Sequence, residues 1–223
     1  MKRTKLSDRK LPDYTRGEEI MNMVTHIVGG SIGILVLILC VGKSVLKQNT
    51  LGIIGSAIYG VTMITLYAIS SIYHGLLPCT GKKVMQVIDH CTIYFLIAGT
   101  YTPIMLAGFV PHFPMIGWCV LSGQWILLAL AVTLTAIDLH AYRIFSMICY
   151  IFMGWAIIFF IPQTLTVLSS AGFCLLLFGG ILYTIGAVLY GIGSKLPWFH
   201  SVFHIFVVLG SLLQFLSILL YVL

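Results

Sequence analysis

Residues 51–74 read LGIIGSAIYGVTMITLYAISSIYH. No Lys, Arg, Asp or Glu interrupts this stretch. As a helix rising 1.5 Å per residue it reaches about 36 Å, more than the roughly 30 Å hydrocarbon core of a bilayer. Its apolar residues run on without the two-residue alternation that a membrane barrel strand requires. The stretch therefore predicts a membrane-spanning helix, and His74 at its end is out of keeping with lipid.

Working outward, six more runs of this kind appear, so that spans are expected near 20–41, 51–74, 87–107, 116–137, 144–161, 171–192 and 199–222. The connectors between them gather the polar and helix-breaking residues. Gly29/Gly33 and Ala187/Gly191 have the small-residue spacing that lets helices approach closely in lipid. Of the 223 residues, 60% are hydrophobic and 8% charged, against about 25% charged in a soluble domain. So few charges cannot clothe a surface facing water, which excludes a soluble enzyme, a disordered chain, a collagen-like repeat and a coiled coil. The expected fold is all-α, an integral membrane bundle of seven transmembrane helices over residues 20–223, preceded by a basic segment over 1–19. The first apolar run contains Asn22 and His26 and precedes no small-residue cleavage site, so it reads as a retained helix and not a signal peptide.

Orientation follows from the cations. The N-terminal segment holds Lys2, Arg3, Lys5, Arg9, Lys10 and Arg16, and loops on the same side add Lys82, Lys83, Arg143 and Lys195. The opposite side has only Lys43 and Lys47. By the positive-inside rule the N-terminus is cytoplasmic and the C-terminus outside. A basic cluster beside a membrane span faces anionic lipid, and no nucleic-acid partner is expected. The cysteines (Cys40, Cys79, Cys91, Cys119, Cys149, Cys174) form no CxxC pair, so neither a disulfide framework nor a thiolate metal site is indicated.

Ionisable groups within spans are costly unless paired or metal-bound. The candidates are His26, His74, Asp89, His90, His200 and His204. The orientation drawn from the cations places His74, Asp89, His200 and His204 at one end of the bundle, the cytoplasmic one. His200 and His204 are four residues apart and project from one helix face, as two ligands to one metal do. Ser70 lies on the face of His74, one turn deeper. Three neutral imidazoles and an open position make the catalytic form of a zinc site. Asp89 would then hold the water on the metal or act as a base, with Ser70 as a supporting donor. Six oxygen ligands are not on offer, which disfavours calcium and magnesium. The same residues also have a purely structural reading. On it the paired histidines snorkel to the interface, Asp89 faces a helix N-terminus, Ser70 is a small packing residue, His90 is interfacial and His26 makes a polar contact between helices.

Taken together, Ser70-x-x-x-His74, Asp89-His90-x-x-Ile93-Tyr94, Gly99-Thr100-Tyr101-Thr102-Pro103 and His200-x-x-x-His204, opened by Glu18-Glu19-Ile20-x-Asn22 and Thr25-His26, resemble the hemolysin III family. This is the bacterial branch of the progestin and adiponectin receptor superfamily, and the likeness runs the whole chain in order. It implies a zinc near the cytoplasmic face held by His74, His200 and His204, with Asp89 on the zinc-bound water and Ser70 nearby. It also implies a multi-pass protein of the bacterial plasma membrane. The similar alkaline ceramidases hydrolyse a lipid amide, which makes membrane lipids the expected partners and a lipid amide or ester the expected substrate. A role in membrane-lipid homeostasis is the corresponding cellular expectation. Two alternatives stand beside this hydrolase: a pore-forming, hemolytic protein and a receptor-like sensor, each with a structural zinc. A pore needs polar stripes through whole spans, yet stretches 27–41 and 205–222 are almost wholly apolar, which favours the hydrolase.

Overall fold

In a computed structural model, which describes residues 4–193 and 196–223, the chain is a bundle of helices with no strand among the described residues. The helices are α1 (Arg16–Leu46), α2 (Thr50–Gly75), α3 (Thr80–Pro103), α4 (Pro114–Ile137), α5 (Arg143–Trp155), α6 (Ile161–Gly193) and α7 (Phe199–Ser217). By length and hydropathy, six continuous helical runs among the described residues are able to cross a membrane. The chain is a multi-pass membrane protein. Lys2, Arg3 and Lys195, which entered the orientation argument, lie outside the described residues.

Local chemistry sets the helix ends. α1 starts ahead of its apolar run because Thr15 and Glu18 form a reciprocal capping box, the Glu18 N–H donating to Thr15 Oγ1 and the Thr15 N–H to Glu18 Oε2. Asn49 caps α2 by accepting from the Gly52 N–H at 2.8 Å. Pro103 ends the regular part of α3, which continues as a wider π turn over Ile104–Phe109.

The expected spans 144–161 and 171–192 fall in one helical run, Arg143–Gly191, of 49 residues. Laid straight it would measure about 74 Å. It does not run straight. Ser169 leaves the helical region (φ 58°, ψ 172°), and Trp155 Nε1 donates to Thr184 Oγ1 at 3.0 Å, so the run doubles back at Ser169.

Packing density is uneven. α3 is the most enclosed helix, with 78% of its apolar window buried, whereas α1, α4 and the 143–191 run turn Ile38, Ile126, Ile148 and Phe159 outward as a lipid-facing belt. The α1–α2 seam depends on Gly29, where a Cβ would stand 2.5 Å from the Tyr67 ring. The second expected seam is corrected. Gly191 faces open space, and α6 meets α7 instead through Gly179 against Gly210, each lying 3.1 Å from the other's carbonyl oxygen by its would-be Cβ. These contacts bring the starts of α1, α3 and α7 and the end of α2 to one end of the bundle.

Candidate metal centre

His74 is on the last turn of α2, and His200 and His204 are on the first two turns of α7. Each is buried, and one nitrogen from each lies within 4.8 Å of the others. The Nε2 atoms of His200 and His204 face each other at 3.1 Å. The trio that spacing singled out in the sequence is thus one cluster in space.

Neighbouring helices hold it from the side. His74 Nδ1 lies 2.6 Å from Glu19 Oε2, and Asn22 Nδ2 approaches the same nitrogen at 3.4 Å. Glu19 also binds Lys82, whose ammonium donates to the Leu76 carbonyl at 2.8 Å. Lys82 was expected among the loop cations, yet it is 4% exposed and serves this network. Glu18 points elsewhere and accepts from the Trp198 N–H at 2.6 Å. Trp198 has φ 67°, a left-handed backbone that a bulky residue adopts only under constraint, and it sets the start of α7 two residues before His200. Tyr14 lies flat on His200, with ring centroids 4.8 Å apart and planes 15° apart. Burial, reinforced by Tyr190, Glu19 and Asp89 nearby, raises its phenol above the ordinary range, so Tyr14 is a neutral cover on the cluster.

The cluster opens into a cavity of about 180 Å³ whose wall includes His200, His204, Asp89 and Ser70. The Ser70 side chain interacts with the Asp89 carboxylate. From Asp89 the lining continues along α3 through Ile93 and Ile97 to Ile104, about 22 Å by helical rise, and across to Leu177 and Val207. The wall is mostly apolar. His90, expected at the interface, also lines this wall, with its Nε2 3.0 Å from Tyr190 Oη. His26 stacks on His204 at 3.8 Å across helices, but the polar contact expected of it is not made, since neither of its nitrogens has a hydrogen-bond partner.

The donor set suits a metal ion. His74 Nε2 is buried without a hydrogen-bond partner, an arrangement that costs free energy unless something is bound there. A tetrahedral ion with nitrogens at about 2.0–2.1 Å holds them roughly 3.3 Å apart, close to the His200–His204 separation. Sequence reading missed Glu19, Lys82, Tyr14 and Tyr190. The pair Glu18-Glu19 was visible, but nothing in it tells which acid turns toward α2.

Comparison with known proteins covers the same ground. A family profile described as Haemolysin-III related matches residues 14–215. Hemolysin-3 of Bacillus cereus is 36% identical over 206 residues, 92% of each chain. The Hemolysin-3 homolog of Bacillus subtilis is 34% identical over 208 residues, 93% of this chain and 96% of the relative. At greater distance, the human Monocyte to macrophage differentiation factor is 23% identical over 172 residues, 72% of this chain and 67% of the relative.

Proposed function

Given that the chain belongs to the haemolysin III family, we propose that it is a zinc-dependent hydrolase of the cell membrane, acting on a lipid amide or ester. The observation that carries this reading is the buried histidine trio at the head of an apolar cavity, with Asp89 and Ser70 in the same wall. His74, His200 and His204 hold the zinc, which when bound supplies Lewis acidity toward a carbonyl and toward water. The cavity takes up the acyl chain and brings its carbonyl end to the cluster. Asp89 receives the proton that the attacking water gives up and returns it to the leaving amine or alcohol. Ser70 orients the Asp89 carboxylate. The chain crosses the membrane seven times, with the reversal at Ser169 separating two crossings, and the histidine end faces the cytoplasm.

A pore is the second reading, favoured by the name hemolysin that the Bacillus relatives carry. The experiment that separates the two reconstitutes the protein in liposomes carrying a lipid amide and an entrapped dye. Fatty acid should be released at neutral pH and stop on chelation. Asp89→Asn should lower release by about 10²–10⁴-fold, the range of general acid–base catalysis, with its zinc retained and little dye lost. Dye leakage indifferent to Asp89→Asn, with no lipid product, overturns the hydrolase.

A further inference from the structure

We propose that Glu19 is the residue that orients His74 for metal binding, and that Lys82 holds Glu19 to that task. The inference rests on the metal reading above and assigns it a part that the ligand set alone does not contain. A carboxylate only accepts hydrogen bonds. With Glu19 Oε2 at 2.6 Å, Nδ1 of His74 is therefore the nitrogen that donates a proton, which leaves Nε2 as the one able to offer a lone pair to a metal. Nε2 is the His74 nitrogen that is buried and unpartnered. The other carboxylate oxygen, Oε1, is bound by Lys82, which is itself buried and anchored on the Leu76 carbonyl. Three helices thus converge to set one ring: α1 supplies the acid, α3 the cation and α2 the imidazole.

The arrangement is specific to this ligand. Among the described residues, neither His200 nor His204 has a carboxylate within ion-pair reach. Those two share one helix, and Tyr14 on one side and His26 on the other fix their ring planes by stacking. His74 comes from a different helix and needs its own guide. The rival account is that Glu19 and Lys82 merely tie α1 to α3.

Zinc affinity of the full-length protein in detergent, measured by competition with a chelator, separates these accounts, together with the visible spectrum of the cobalt-loaded protein. Loss of such a supporting carboxylate costs about 10–100-fold in metal affinity. Glu19→Ala should show that loss and an altered cobalt spectrum. Glu19→Gln, which keeps one acceptor oxygen beside Nδ1 but no charge, should lose less. Thr15→Ala, which removes the cap of the same helix, should lower thermal stability and leave zinc affinity unchanged. Should Glu19→Ala fail to fold, Glu19→Gln decides, and wild-type affinity with a wild-type cobalt spectrum overturns the proposal. Glu19→Ala that binds zinc as tightly as wild type overturns it too. So does a zinc loss that Thr15→Ala reproduces in proportion to its loss of stability. A wild-type protein that takes up neither zinc nor cobalt refutes the metal reading itself, and this inference with it.

Discussion

At the end of the bundle where α1 passes into α2, polar side chains are satisfied close to home. Ser44 donates to the Cys40 carbonyl, Thr100 to Leu96 and Thr102 to Ala98, each four residues back, and the one long reach among these, Lys43 to the Leu219 carbonyl 176 residues away, still ends on backbone. At the histidine end the pattern reverses. Glu19 reaches His74 and Lys82, Glu18 reaches Trp198, and these partners are 55 to 180 residues away. Of the nine buried side-chain atoms without a partner among the described residues, six belong to Asn22, His26, His74, Ser201 and His204. A membrane bundle can evidently be assembled from short backbone-directed bonds and small-residue seams, as its other end is. The unpartnered nitrogens of the histidine end are the atoms that the proposed metal site would use.

The strongest way to break this contrast is to remove a ligand. Metal analysis of the purified protein should find about one zinc per chain. His74→Ala, His200→Ala and His204→Ala should each bring it close to zero, because two imidazoles hold the ion poorly. Ser44→Ala, at the other end, should keep it all. Asp89→Ala should retain most of the zinc, and if it strips the metal as fully as the histidine changes, Asp89 is a fourth ligand and the site is closed to substrate water.

That asymmetry also explains what could be read beforehand. His200 and His204 were legible because helix periodicity fixes the relation of residues four apart on one face, and His74, Asp89 and Ser70 because ionisable and polar groups stand out in apolar runs. Periodicity says nothing about the phase of one helix against another. The choice of Glu19 over Glu18 depends on how α1 rolls on α2, and that roll is set by contacts such as Gly29 on Tyr67. Lys82 looked like any loop cation, since only the tertiary fold takes it out of water. The reversal at Ser169 was visible as a polar connector over 162–170 but not as a turn, because the helical backbone continues on both sides of it.

A smaller effect sharpens the contrast from the other end. A Cβ on Gly55 would stand 2.7 Å from Pro103 Cα, and backbone cannot step aside as a flexible side chain can. Gly55→Ala should therefore cost about 1–3 kcal/mol by overpacking. In a domain of this size that amounts to a few degrees of melting temperature per kcal/mol. Zinc content should stay at the wild-type value. A variant that loses stability and zinc together would show that the two ends are coupled and not separately built.

The smallest expected effect tests where the polar network stops. Asp138, at the end of α4, is an acid fully satisfied by backbone. Its Oδ2 accepts from the Thr4 N–H at 2.7 Å, and its Oδ1 from the N–H groups of His140 and Ala141 at 3.1 Å. The Thr4 N–H, helped by the other two, holds its carboxyl down to about 2 from an ordinary 3.8. A carboxyl whose folded value is lowered contributes stability above its unfolded value and loses it as the pH falls toward the folded one. The stabilisation is therefore complete above about pH 4 and fades between about 4 and 2. Asp138→Asn should melt about 2–4 °C below wild type at neutral pH, the equivalent of about 1 kcal/mol, and the gap should close as the pH approaches 2. At neutral pH zinc should be unaffected, because Asp138 holds only the Thr4 end of the segment and touches no residue of the histidine cluster. A gap that persists unchanged at pH 2 would mean that the asparagine disturbs packing and that the charge contributes nothing. Zinc lost with Asp138→Asn would extend the site along the whole N-terminal segment, making Tyr14 a part of the metal centre's enclosure that depends on its distant anchor.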